Sequence, residues 1–352
     1  MSNHKKNISN IVLKKGYDKK YLNYILNEIK KCKDADVIAI YNPDCIGIMN
    51  STKELFKFSI PLVEIFSEKM CLEIADALVS TKANQIIFSS ITFGWKNLIE
   101  NISLKNNSIK LKFLWHGSHA MLVQKNESYF LYNILELSER NIISSIGFAK
   151  ESMAEFYKLK NYNSFFVPNN VCNIKSTFKP FEKENEKKYI GLYSAGNRWE
   201  KNTFNQLSAV SMLKNSCIDI IPVTDLVDSF CKMTGVHIND KNIKYLERQD
   251  LFNRMALNDV NLYVTFTECS PMLPLESLEL GVPCITGNNH HYFRNSKLSD
   301  YLIVKAEDDI NEIYEKIKFA ISNKEEIINL YKIWKSEYNL FCENKLSEFL
   351  ND

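Results

Sequence analysis

Val264-Thr265-Phe266-Thr267-Glu268-Cys269-Ser270-Pro271-Met272-Leu273-Pro274-Leu275-Glu276-Ser277-Leu278-Glu279-Leu280-Gly281-Val282-Pro283-Cys284-Ile285 reads as a strand, a loop, a short helix and a second strand. Gly281 suits the position just past a helix end, and Pro283 prevents the helix from continuing. Glu268 then stands at the carboxyl end of the first strand, and Glu276 lies about one turn into the helix. A strand–loop–helix–strand run of this kind is the repeating unit of a parallel sheet.

The same rhythm extends outward in both directions. In the second half, short apolar runs predict strands at 189–193, 218–222, 243–246, 261–265, 283–286 and 301–304, and amphipathic segments predict helices at 201–213, 225–233, 249–257, 273–280 and 308–321. In the first half, strands are expected at 37–41, 61–66, 85–89, 110–115, 142–146 and 164–167, with helices at 20–31, 68–79, 128–139 and 150–159. Between the halves, residues 182–188 read Glu-Lys-Glu-Asn-Glu-Lys-Lys, a solvated charge run that also makes a linker. The reading is an α/β chain of two Rossmann-like domains, residues 1–180 and 187–323, with an amphipathic segment at 324–352 packing across both. Two such domains imply ligands at the carboxyl ends of the strands, in a cleft between the domains.

The quoted segment has the chemistry for a nucleotide. A carboxylate can accept hydrogen bonds from ribose hydroxyls, and phosphates are met by backbone N–H groups at a helix N-terminus. Glu268 and Glu276, with the amides of the loop 269–273 beside them, offer both. A second segment opens the same domain: Gly191-Leu192-Tyr193-Ser194-Ala195-Gly196-Asn197-Arg198-Trp199-Glu200-Lys201-Asn202, a strand, a small-residue turn and a helix start. Arg198 and Lys201 place two cations at the start of that helix, where a basic residue opposes the helix dipole. In the first half, Phe113-Leu114-Trp115-His116-Gly117-Ser118-His119 ends an apolar strand in a His-Gly turn, which makes His116 a candidate and His119 a weaker one. Gly47, in Asp44-Cys45-Ile46-Gly47-Ile48, follows the first strand.

Glu268 and Glu276, followed by Gly281-Val282-Pro283, resemble the E-x7-E signature of retaining glycosyltransferases of the GT-B fold, in particular glycosyltransferase family 4. The resemblance implies that Glu276 holds the donor ribose and Glu268 contacts the donor sugar. It also implies that Met272 and Leu273 face the diphosphate, that Arg198 and Lys201 neutralise it, and that His116 lies near the reacting sugar. Gly47 matches the family's glycine-containing loop near the phosphate, without the usual double glycine. Val167-Pro168-Asn169-Asn170-Val171 resembles the family's P-N-G-V segment, with Asn170 in place of glycine, a residue that tolerates left-handed backbone. The implied reaction moves a sugar from a nucleotide-sugar donor to a glycan, lipid-linked or protein acceptor, without metal or cofactor, as in bacterial surface polysaccharide synthesis. Two alternatives stand beside it. Trp115-His116-Gly117 resembles the W-H-G segment of CDP-glycerol glycerophosphotransferases, and the chain could also be a catalytically silent sugar- or nucleotide-binding subunit.

Composition excludes other classes. With 44 basic and 42 acidic residues and a formal net charge of +2, the chain lacks the basic excess of a nucleic-acid binder. Its nine cysteines form no C-x2-C pair and read as free thiols in a reducing compartment. No metal-ligand pattern surrounds His290-His291, and the Walker loop, nucleophile elbow and G-x-G-x-x-G fingerprint are absent. No signal peptide or bilayer-length apolar run is present, so the expected location is the cytoplasm, extending to peripheral contact with the inner membrane face if the acceptor is lipid-linked.

Overall fold

The computed structural model describes residues 19–65, 67–171, 174, 187–193, 198–241 and 246–352. The linker at 182–186, the small-residue turn at 194–197, Cys172 and most of the strand expected at 243–246 lie outside the described residues. Two units are present, Met1–Asn170 with Phe341–Asp352, and Val171–Leu340. Each is built on a six-stranded sheet whose described pairings are all parallel.

The strands of the first unit are β1 (Val37–Tyr41), β2 (Ser59–Pro61), β3 (Gln85–Phe88), β4 (Lys110–Trp115), β5 (Ser145–Phe148) and β6 (Ser164–Phe166), in the order β2-β1-β3-β4-β5-β6. Their mainly apolar character follows from burial on both faces. Ile38, Ile40, Ile86, Phe88 and Phe113 pack on one face, with Trp95 and Ile74 from flanking helices. Ala39, Ile87 and Leu114, the alternate residues, pack on the other with Leu55 and Phe349. The helix Lys324–Asn351 thus gives its last turns to this unit. Its terminal carbonyls at Phe349 and Leu350 accept from the Lys112 ammonium, whose bond to Leu350 is 3.2 Å. Burial pushes the Lys112 ammonium down to about 8.

In the second unit the strands are β7 (Lys188–Leu192), β8 (Ser216–Ile220), β9 (His237–Ile238), β10 (Val260–Tyr263), β11 (Cys284–Gly287) and β12 (Ile303–Val304), ordered β12-β11-β10-β7-β8-β9. A buried polar chain braces this sheet. Arg254 grips Asp219 through Nε at 2.9 Å and through Nη2, while Tyr193 donates to Asp219 at 2.6 Å. Asn258 then donates to Tyr193 and to Asn261, and Asn261 donates to Ser277, each at 2.8 Å. Gly191 makes room for this chain, since a Cβ there would lie 2.0 Å from Asn261 Oδ1 and 2.4 Å from Asn258 Nδ2.

Several expectations shift. The strand expected at 61–66 forms earlier, as Ser59–Pro61, on the sheet edge where Pro61 is tolerated. The strand expected at 142–146 runs instead over Ser145–Phe148, in register with β4. Gly47 does not lie in a loop: helix Ile46–Leu55 begins one residue before it. Asn170 is not among the residues with positive φ, so left-handed backbone is not what replaces glycine there. In place of one helix over 201–213, a 3-10 turn Trp199–Lys201 and helix Thr203–Ser211 meet at Asn202, whose φ is +52°. Among the described residues, no helix is long and apolar enough to cross a membrane.

Candidate functional site

Parallel sheets gather ligands where the strand order reverses, because the loops there diverge and leave a crevice. In the second unit the chain runs from β7 outward to β8 and β9, then crosses to β10 on the other side of β7. The reversal therefore lies between the carboxyl ends of β7 and β10. Lys201 follows β7, and Glu268 follows β10.

These two side chains meet as an ion pair, with Lys201 8% and Glu268 16% exposed. Tyr263, the last residue of β10, donates to Glu268 Oε1 at 2.9 Å and accepts from Lys201 Nζ at 3.1 Å. Burial first, and then the Glu268 charge, push the Tyr263 phenol well above its usual range, so it stays a donor. The loop carrying Glu268 is tied to the 3-10 turn by the Phe266 N–H, which donates to the Glu200 carbonyl at 2.9 Å. The rings of Trp199 and Phe266 stack with centroids 6.2 Å apart. Arg198, 43% exposed, pairs with Glu200 at 3.1 Å.

Glu276 is buried on helix Met272–Glu279 and accepts from Arg248 Nη2 at 2.8 Å and Nε at 3.2 Å. The neighbouring Ser277 hydroxyl donates to the Val282 carbonyl and accepts from Asn261, which fixes this helix against β10. Pro271 caps the helix start without a side-chain hydrogen bond to its amides. The first-turn N–H groups of Met272 and Leu273, both partly exposed, therefore keep the unsatisfied donor character of a helix N-terminus.

Sequence reasoning missed Arg248 and Tyr263. Arg248 opens helix Arg248–Met255, 28 positions before its partner, and no local spacing marks it. Tyr263 had a weak signal as a polar tip ending an apolar strand.

The first unit reverses between β1 and β3. His116 follows β4, Ser89 follows β3, and Thr52 lies in the helix after β1. His116 Nε2 is 2.9 Å from Ser89 Oγ, and Ser89 Oγ is 2.6 Å from Thr52 Oγ1. Burial pushes the His116 imidazole down to about 4, so it is neutral at pH 7. The indole N–H of Trp115 is buried with no partner among the described residues, and a Cβ on Gly117 would come 2.9 Å from it. Gly47 is in the first turn of helix Ile46–Leu55, with open space where a Cβ would be. His119 lies apart, 3.2 Å from the Tyr157 hydroxyl.

His290 and His291 serve the fold. The His290 ring accepts from the Tyr292 N–H at 3.2 Å, and His291 is 2.9 Å from the Tyr338 hydroxyl. Among the described residues, no group of three or more His, Cys, Asp and Glu side chains is arranged to hold a metal ion.

No family model matches the chain. Among solved structures it is similar to a UDP-forming α,α-trehalose-phosphate synthase from Burkholderia xenovorans in complex with glucose-6-phosphate. That match has TM-score 0.61 and 10% identity, over 90% of this chain and 99% of that one. It is also similar to HepE of Anabaena in complex with UDP-glucose, with TM-score 0.61 and 8% identity, over 90% and 99% of the two chains. The lipopolysaccharide outer core galactosyltransferase WaaB matches at TM-score 0.57 and 10% identity, over 88% and 98%. The α/β fold with two Rossmann-like units is thus the one these GT-B proteins share.

Proposed function

We propose that the chain is a retaining glycosyltransferase that uses a nucleotide-sugar donor and needs no metal. The observation that carries this reading is the pairing of carboxylates with cations, the half-buried Glu268 with Lys201 and the buried Glu276 with Arg248, beside an uncapped helix N-terminus at the β7/β10 reversal. In it, Glu276 accepts from the donor ribose hydroxyls, Glu268 from hydroxyls of the donor sugar, and the Met272 and Leu273 amides face the diphosphate. Lys201 and Arg198 offset the negative charge that grows there as the sugar departs. The bond from the anomeric carbon to the diphosphate oxygen breaks, and the bond to the acceptor oxygen forms on the same face. The acceptor proton passes to the departing phosphate oxygen, so no dedicated base is required. A glycan, lipid-linked or protein hydroxyl is the acceptor class.

The W-H-G segment supports a glycerophosphate transferase with His116 as base. An imidazole held at about 4 is a weak proton acceptor at neutral pH, which favours the glycosyl reading. Turnover of UDP-, GDP-, ADP- and CMP-linked sugars with chelator present, assayed as released nucleotide, tests the proposal. One donor should turn over, and Lys201→Ala should slow it about a hundred- to a thousandfold. Turnover of CDP-glycerol with no nucleotide sugar accepted would replace it with the alternative.

A further inference from the structure

The hydrogen-bond geometry around His116 fixes a proton count. Three contacts run in series: Thr52 Oγ1 to the Ile48 carbonyl at 2.8 Å, Thr52 Oγ1 to Ser89 Oγ at 2.6 Å, and Ser89 Oγ to His116 Nε2 at 2.9 Å. Each needs one proton. A carbonyl supplies none, and each hydroxyl supplies one. Thr52 and Ser89 therefore cover two of the three contacts, and the third proton comes from His116 Nε2. The bonds then run in one direction: His116 Nε2–H to Ser89, Ser89 to Thr52, Thr52 to Ile48. The reverse arrangement, with Ser89 donating to a bare Nε2, leaves three contacts sharing two protons.

We infer that Thr52 and Ser89 are positioning residues that hold His116 as the Nε2–H tautomer, so that its Nδ1 lone pair accepts a hydrogen bond from a substrate hydroxyl. The facing group is thus a neutral sugar hydroxyl and not a phosphate oxygen, which carries no proton to give at neutral pH. The tautomer stands on geometry alone, whereas the hydroxyl as its partner rests on the glycosyltransferase reading. The strand order supports the device. Thr52, Ser89 and His116 follow β1, β3 and β4, three successive neighbours in the sheet, with the reversal between the first two. Thr52 and Ser89 are both fully buried, so water does not compete for their protons. A ring with this pattern orients a hydroxyl without removing its proton, in keeping with its neutrality at pH 7.

The test is the two-bond proton–nitrogen spectrum of the full chain with nitrogen-15 in its histidines, His116 being assigned with a His116→Gln variant. At pH 7 the His116 pattern should show Nε2 protonated and Nδ1 bare. A protonated Nδ1 overturns the inference. Thr52→Val, close to isosteric, removes one acceptor and one proton, so Ser89 is released to donate to the ring. It should move His116 to the Nδ1–H form and lower kcat about tenfold, the loss of one oriented hydrogen bond, at unchanged donor affinity. Thr52→Ser should restore the parent on both counts. If Thr52→Val leaves the tautomer and kcat as they were, the positioning role is wrong. If the parent shows the Nε2–H form but transfers no sugar from any nucleotide donor, the functional reading and the hydroxyl partner both fail, while the tautomer device is established by the same spectrum.

Discussion

The two strand-order reversals solve one problem with opposite chemistry. At the β7/β10 reversal, the polar groups are formal charges, each already joined to a partner: Lys201 with Glu268 and Tyr263, Glu276 with Arg248. At the β1/β3 reversal they are neutral, two hydroxyls and an imidazole in a hydrogen-bonded row. Charges taken out of water must be paired or they destabilise the fold by several kcal/mol, roughly 3–5 when one partner is removed. If the first site meets a charged diphosphate, as proposed, its ions fold already paired and must exchange partners on binding. If the second meets hydroxyls, as inferred, it needs only fixed donor and acceptor directions.

That contrast sets the size of each expected response. The largest belongs to Lys201→Ala, which should lower kcat about a hundred- to a thousandfold, since in the proposed reaction it removes a fixed cation from the departing diphosphate. Steady-state turnover against the preferred donor measures it, and a loss below tenfold would break the contrast on the charged side. Next is Arg254→Met, which strands Asp219 beneath Tyr193 and should cost about 3 kcal/mol in urea denaturation. That loss should leave the first unit's His116 spectrum unmoved.

The smaller response is a pH effect on the neutral side. The folded His116 value of about 4 lies below the roughly 6.5 of an unfolded histidine. As pH falls from 6.5 toward 4, the unfolded chain takes up a proton that the folded chain refuses, so stability declines through that window and the loss is complete below it. Denaturation at pH 7 and pH 5 should show the parent losing about 1–2 kcal/mol more than His116→Gln over that interval. Equal losses would mean that the folded chain does not hold His116 as a neutral ring.

The sequence resolves most where signals are local. The β1 run Val37–Tyr41 and the β4 run Lys110–Trp115 appear with the expected limits, because each is rich in apolar residues and ends in a polar turn. Helix Glu68–Val79 also matches, and its Ser67 cap accepts from the Met70 N–H at 3.2 Å. Helices Ile46–Leu55 and Trp95–Lys105 were not expected, and neither has a side-chain cap. The second starts after Gly94, at φ +86°, a signal that reads equally as a turn. β9 has two residues, His237–Ile238, too few to show a period. At the candidate sites, Glu268, Glu276, Lys201, Arg198 and His116 stand out because strand ends and spacing mark them. Arg248, Ser89 and Thr52 act through partners distant in sequence, Thr52 and Ser89 being 37 positions apart, and the fold alone brings them together, while Tyr263 meets Glu268 five positions on and Lys201 only through the fold.

The most direct test of the donor site is titration calorimetry of the preferred nucleotide sugar into the parent and into Glu276→Ala, with chelator present. The parent should bind saturably and the variant about a hundredfold more weakly, the loss expected if Glu276 makes charge-assisted bonds to the ribose. Equal affinity in the two proteins, or no binding of any nucleotide sugar by the parent, would contradict it.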